Sequence, residues 1–165
     1  MRIAVSALML LSCILLTAGC KRERQSTPDH STPIAYTFRK DGVLIIRDAN
    51  GKDKCQFDIE IADSPARTQQ GLMFRETMAD DQAMLFVFSF LDYHSFWMKN
   101  TYLPLDMIFI DNNQVIVDVR YNAVPFSEDN ITPRELALFV LEVKAGVTQR
   151  NNIGIGDRIE WRRGD

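Results

Sequence analysis

The sequence predicts a mainly β, single-domain fold, a β-sandwich or barrel-like arrangement of about nine strands with one or two short helices. Two observations carry this. Short apolar runs with two-residue alternation recur from residue 34 onward, separated by turn formers such as Asp-Gly, Asn-Asn and Gly-x-Gly. Only one stretch, "DSPARTQQG", carries both a helix start and a helix stop.

In chain order, "IAYTFR" (34–39) and "VLIIR" (43–47) flank Lys40-Asp41-Gly42, where Asp-Gly suits a hairpin turn. In "CQFDIEIA" (55–62), Cys55, Phe57, Ile59 and Ile61 share one face, opposite Gln56, Asp58 and Glu60. A short helix follows, with Asp63 or Ser64 as cap, Pro65 at its first position and Gly71 as a left-handed stop. "AMLFVF" (83–88) resumes the strand pattern, and "HSFWMK" (94–99) alternates with Phe96 and Met98 on one side, Trp97 and Lys99 on the other. Pro104 cannot donate a ladder bond, so the next strand begins at Leu105 and runs to residue 110. "DNNQ" turns the chain into "VIVDV" (115–119). "LALFVLEV" (136–143), interrupted only by Glu142, reads as a strand buried on both faces. Residues 147–152 suit one or two helical turns. Residues 158–162 form the last strand, after a Gly-Asp turn in which Asp157 would bond backbone amides to brace a corner.

The first residues read as a processing signal. Arg2 precedes an apolar stretch at 3–16 that is too short to span a bilayer, and "TAGC" ends it at Cys20. This resembles a lipobox, although Thr17 stands where Leu is commoner. The expected organisation is a lipoprotein-type signal at 1–19, a flexible Ser/Thr/Pro-rich tether at 20–33 and a β-rich domain at 34–165. Cys20 would carry lipid and anchor the chain to a membrane, facing the periplasm. Lys21 rather than Asp after the cysteine favours the outer membrane in a Gram-negative host. No other apolar run approaches spanning length. With Cys13 removed and Cys20 lipidated, Cys55 stands alone, so the expected stability comes from a core, not a disulfide.

Nineteen basic and 22 acidic residues give a net charge of −3, which argues against a nucleic-acid partner. His30, His94 and Cys55 have no metal-ligand spacing, so neither metal nor cofactor is expected. His94 and Ser95, adjacent on a strand, would point to opposite faces and make no triad.

Three stretches carry a family resemblance: "GLMFR" (71–75), "FWMKNTYLPLD" (96–106), and "VLEVKAG" with a later "GD" (140–157). In that order and spacing the chain resembles the family called domain of unknown function 192, over roughly residues 57–161. The resemblance implies a compact β-rich domain, often exported or lipid-anchored, and supplies no activity, substrate or cofactor.

The charged members of these motifs, Arg75, Lys99, Asp106 and Glu142, sit beside strongly apolar residues, where unpaired charge is costly. Two readings stand open. In one they are buried struts, Glu142 pairing with Lys99 or an arginine and Asp106 with backbone amides near the Pro104 turn. In the other, Arg75, Trp97, Lys99, Asn100, Thr101, Asp106 and Glu142 line a ligand site. Arginine and lysine would meet an anion, with Asn100 and Thr101 fixing orientation and Trp97 or Tyr102 offering a stacking face. The expected function is an envelope lipoprotein that binds a small molecule, wall polymer or protein partner without chemistry. The alternative is a small hydrolase acting on wall polymer through Asp106 and Glu142, which needs the two carboxylates about 5–9.5 Å apart across an open cleft.

Overall fold

The computed structural model describes residues 36–164. The expected signal, Cys20 and the expected tether lie outside them. Seven strands and two short helices follow in the order β1 (Gly42–Arg47), β2 (Asp53–Ala62), α1 (Pro65–Gln70), β3 (Gln82–Asp92), β4 (Leu105–Ile110), β5 (Ile116–Ala123), β6 (Ala137–Lys144), α2 (Val147–Arg150) and β7 (Arg158–Arg163). They form one sheet in the order β5-β4-β6-β3-β2-β1-β7. All neighbours are antiparallel except β2 and β3, which the α1 crossover makes parallel.

The two edges of the sheet meet. Val115 bridges Arg158, the Ile116 amide donates to Asp157 O at 2.8 Å, and the Ile159 amide donates to Gln114 O at 2.9 Å. The sheet therefore curls into a barrel-like form, and Leu44, Phe57, Ile59, Leu85, Ile108 and Leu141 fill its inside. Contact between the edges occupies backbone groups that would otherwise be open to another chain.

A second apolar cluster covers the outer face of β2, β3, β6 and β4. Met84, Phe86, Leu105, Met107, Phe109 and Val140 pack there against Leu72, Met78 and Met98 from the connections. Burial on both faces explains why every residue of β4 is buried, and it matches the unbroken apolar character of β6.

Two of the nine expected strands are not formed. Over its described residues, 36–39, the first is extended chain outside the sheet: Tyr36 stacks on Phe74 at 6.1 Å, and the Arg39 amide donates to Glu60 Oε1. Both sides of β1 are already taken, by β2 and β7. The expected Asp-Gly hairpin is absent for a related reason. Neither Asp41 nor Gly42 has the positive φ that a tight hairpin turn needs. Gly42 instead allows close approach to β7, because a Cβ there would lie 2.3 Å from the Arg162 carbonyl oxygen.

The second missing strand is "HSFWMK". It makes one isolated bridge, Phe96 to Ile131, and runs as a strap over the outer face. Its alternation is nevertheless correct: Phe96 and Met98 point in and Trp97 points out. The period survived while the element did not, since β3 and β6 beneath it are hydrogen-bonded on both sides.

Other local expectations match the geometry. Pro65 opens α1 and Gly71 closes it at φ 48°, although Ser64 makes no side-chain cap bond. Asp157 accepts from the Gly154 amide at 2.8 Å and from Lys54 Nζ at 2.6 Å, holding the last corner. Cys55 packs against the inner core, and burial pushes its thiol up to about 11.

Candidate functional site

A cavity of about 270 Å³ opens between the α1 end of the crossover and the strap. Thr68, Gln70 and Gly71 form one wall; His94, Ser95, Phe96 and Trp97 form the other. Phe86 and Phe88 of β3 and Glu142 of β6 supply the floor, with Thr101 beside them. Gly71 is suited to its place twice over. Its φ is left-handed, and a Cβ would press on the Phe86 ring at 3.3 Å.

The walls are aromatic and well ordered by mutual packing. Phe96 meets Phe86 edge-on at 5.0 Å, and the His94 ring stacks on Phe88 at 3.5 Å. His94 Nε2 also lies 3.1 Å from Phe90 O, which fixes the ring's position.

Glu142 is the chemically unusual member. It is 4% exposed and lies opposite Met84 on one side and Met107 on the other. Among the described residues its carboxyl makes no hydrogen bond and no ion pair. Loss of water around it pushes its pKa up to about 8, so at neutral pH the protonated form dominates.

The remaining candidates fall elsewhere. Arg75 grips Glu60 in a two-pronged pair: Nη2 donates to Oε2 at 2.7 Å and Nη1 to Oε1, while the buried Nε has no partner among the described residues. This pair belongs to a separate, adjoining pocket with Arg39, Arg67 and Tyr36.

Asp106 faces away from the cleft. Fully buried, it accepts from the amides of Asn122 and Gly146 at 2.9 Å, from the Thr148 amide at 3.3 Å, and from the Thr148 hydroxyl. Placing it as a ligand-binding residue is thus corrected: its acceptor capacity is spent on the end of β5 at Asn122 and on the start of α2 at Gly146 and Thr148. The expectation that its amides come from the Pro104 turn is also corrected.

Lys99 is not the buried partner of Glu142. Its side chain is 43% exposed, 3.4 Å from Glu128, with Nζ 5.3 Å from the centre of the Trp97 ring. Asn100 serves the backbone: at φ 55° its carbonyl accepts from the Phe74 amide at 2.8 Å. Of the residues singled out in the sequence, the cleft therefore gathers Trp97, Thr101 and Glu142.

The proposed catalytic pair of Asp106 and Glu142 is not formed. Asp106 is opposite Val143 and Glu142 opposite Met107 in the β4–β6 ladder, so the two carboxylates emerge on opposite faces of the sheet. Both are buried, and no groove joins them. Missing from the sequence reading were Glu60, Gln70, Phe86, Phe88 and the cleft position of His94. One signal was present: Met84, Phe86 and Phe88 alternate along β3 on the face that becomes the floor.

Comparisons with known proteins point the same way on fold and leave activity open. A protein of Sinorhizobium meliloti 1021, provisionally described as a transcription regulator, is 40% identical and superposes with a TM-score of 0.71, over 78% of this chain and 96% of that one. A protein of unknown function from Novosphingobium aromaticivorans DSM 12444 is 30% identical with a TM-score of 0.70, over 80% of this chain and 94% of that one. No curated protein matches. The model of domain of unknown function 192, described as "Uncharacterized ACR", matches residues 45–161, and the chain belongs to this DUF192 family.

Proposed function

We propose that this chain is a cell-envelope lipoprotein whose β domain binds a small molecule, without chemistry, in the cleft over Glu142. One observation carries the reading: a glutamate only 4% exposed whose carboxyl has no protein partner among the described residues and opens onto the floor of an aromatic cavity. A fold gains nothing from such a group by itself, since burying it costs free energy. Ligand pockets characteristically combine apolar walls with a few polar groups of this kind. Trp97, Thr101 and Glu142 are the sequence candidates that serve it.

The separation of Asp106 from Glu142 weighs against the hydrolase reading, which loses its second carboxylate. The acidic balance of the chain weighs against a DNA-binding role of the kind named for the Sinorhizobium relative. The envelope address rests on the signal at 1–19, Cys20 and the tether at 20–33.

Two experiments test the proposal. The chain purified from membranes is denatured and the released small molecules identified by mass spectrometry. Thr68→Trp, on a helix with no buried residue, fills the cleft and is expected to abolish that release without lowering the melting temperature. Release undiminished by Thr68→Trp overturns the cleft as the site. Separately, Cys20→Ser is expected to free the chain from membranes; failure of labelled fatty acid to attach to the wild type overturns the anchor.

A further inference from the structure

We infer that the cleft over Glu142 takes an organic ammonium ion, an inference that rests on the small-molecule reading above and names its ligand class. The argument begins with a contrast among buried acids. Glu60 has Arg75, Asp118 has Arg120 and the Arg134 amide, Asp157 has Lys54, and Asp106 has its four donors. Glu142 has none among the described residues, and it is the one of the five that faces the cavity. The fold compensates its internal acids and leaves this one for something that enters.

What enters is constrained by the walls. No lysine or arginine lines the cleft, so an anion would meet a carboxyl with nothing to offset it. A bare divalent cation wants several oxygen ligands, and the cleft offers a single carboxylate. An organic cation satisfies both features at once. Its charge pairs with Glu142, and its C–H or N–H surface packs against the accessible aromatic lining at Phe96 and Trp97, where aromatic rings attract positive charge. A cavity of about 270 Å³ admits a small ion or the head group of a larger molecule.

Binding is therefore linked to a proton. Glu142 must ionise to pair with the cation, so the proton and the ammonium group compete for it. The charged and titratable groups around it are His94 on the opposing wall, Glu60 across Met84 and held by Arg75, Arg120 across Met107 and held by Asp118, Lys144 two residues along β6 and beside Asp80, and Lys99 at the outer side of Trp97. His94→Gln serves as the control for the imidazole.

The test is calorimetric titration of the full chain, in detergent, with choline and with 3,3-dimethylbutan-1-ol, which has the same shape and no charge. Choline is expected to bind at least tenfold more tightly than the alcohol. Its affinity is expected to rise towards tenfold per pH unit from pH 6.5 and to level off above 8; in His94→Gln, a wall residue, the absolute affinity is expected to change while the slope with pH is kept. Glu142→Gln is expected to lose both the choline binding and its pH dependence while unfolding no earlier than the wild type. Vesicles of phosphatidylcholine, set against phosphatidylglycerol, separate a lipid head group from a free solute as the source. Equal binding of choline and the alcohol, or choline binding that survives Glu142→Gln, overturns the cationic class and leaves a cleft that still binds. Absence of any probe effect on Trp97 fluorescence, with nothing released on denaturation, overturns the small-molecule reading itself.

Discussion

Glu60 and Glu142 flank Met84 in a single row that crosses β2, β3 and β6, and the cation that the fold supplies goes to Glu60. The two carboxylates stand on the same outer face, one strand apart from a shared neighbour. Arg75 reaches Glu60 because the turn after α1 delivers it there, with the Phe74 amide pinned to Asn100 O at 2.8 Å. The geometry that neutralises one acid leaves the other to the cleft.

Arg75→Met is expected to destabilise the domain by about 3–5 kcal/mol, because it strands a buried carboxylate. The double variant Arg75→Met, Glu60→Leu is expected to recover most of that loss, since it removes both charges together. Urea unfolding of the two variants measures this. Equal loss in single and double variants would show that Arg75 acts through packing of its stem, not through its charge.

Glu142 makes stability depend on pH in a direction opposite to most acids. Its folded pKa lies near 8, above an ordinary 4.5, so the folded state holds its proton more tightly than the unfolded chain. Its contribution is full below about pH 4.5 and is lost as pH rises through 8. Glu142→Gln removes this penalty and is expected to be more stable than wild type above neutrality, by on the order of a few kcal/mol at pH 9. Melting curves of both proteins from pH 5 to 9 should diverge upward. Parallel curves would mean that the carboxyl finds a partner in solution.

The seven strands were legible because alternation reports which side of a chain is apolar, whatever it packs on. The same signal misread "HSFWMK" as a strand: Phe96 and Met98 do turn inward, but onto a sheet whose backbone groups were already paired. Periodicity says nothing of whether a ladder position is vacant. Glu142 was visible as a lone acid in an apolar run, and so was Asp106. Which of them would be satisfied depended on the end of β5 at Asn122 and the start of α2 at Gly146 and Thr148, 16, 40 and 42 residues from Asp106. Lys99 was misjudged because its neighbours are bulky; Trp97 is itself 45% exposed, so apolar flanks did not mean burial.

Asp106→Ala is expected to be among the most damaging single changes, at roughly 3–5 kcal/mol, since it orphans the amides of Asn122, Gly146 and Thr148 inside the protein. Asp106→Asn keeps one acceptor oxygen and should lose less. Hydrogen exchange at Gly146 and Thr148 reads the effect locally: both amides should exchange faster in Asp106→Ala, while amides of β1 change only with global stability. Unchanged protection there would place the stabilising role of Asp106 elsewhere.

Lys99→Met supplies the sharpest separation of a motif residue from a structural one. Lys99 lies in the most characteristic stretch of the chain, yet its ammonium is solvent-exposed, with Glu128 at 3.4 Å and the Trp97 ring beneath it. An exposed pair of this kind contributes about 0–1 kcal/mol, and salt screens it further. The variant is therefore expected to melt within a degree or two of wild type, with any small difference shrinking in 1 M salt. A drop of the size predicted for Asp106→Ala would mean that Lys99 is buried in solution and that the strap closes differently over the outer face. If instead the variant folds normally but loses ligand, the ammonium beside Trp97 takes part in binding, which counts against a cationic ligand.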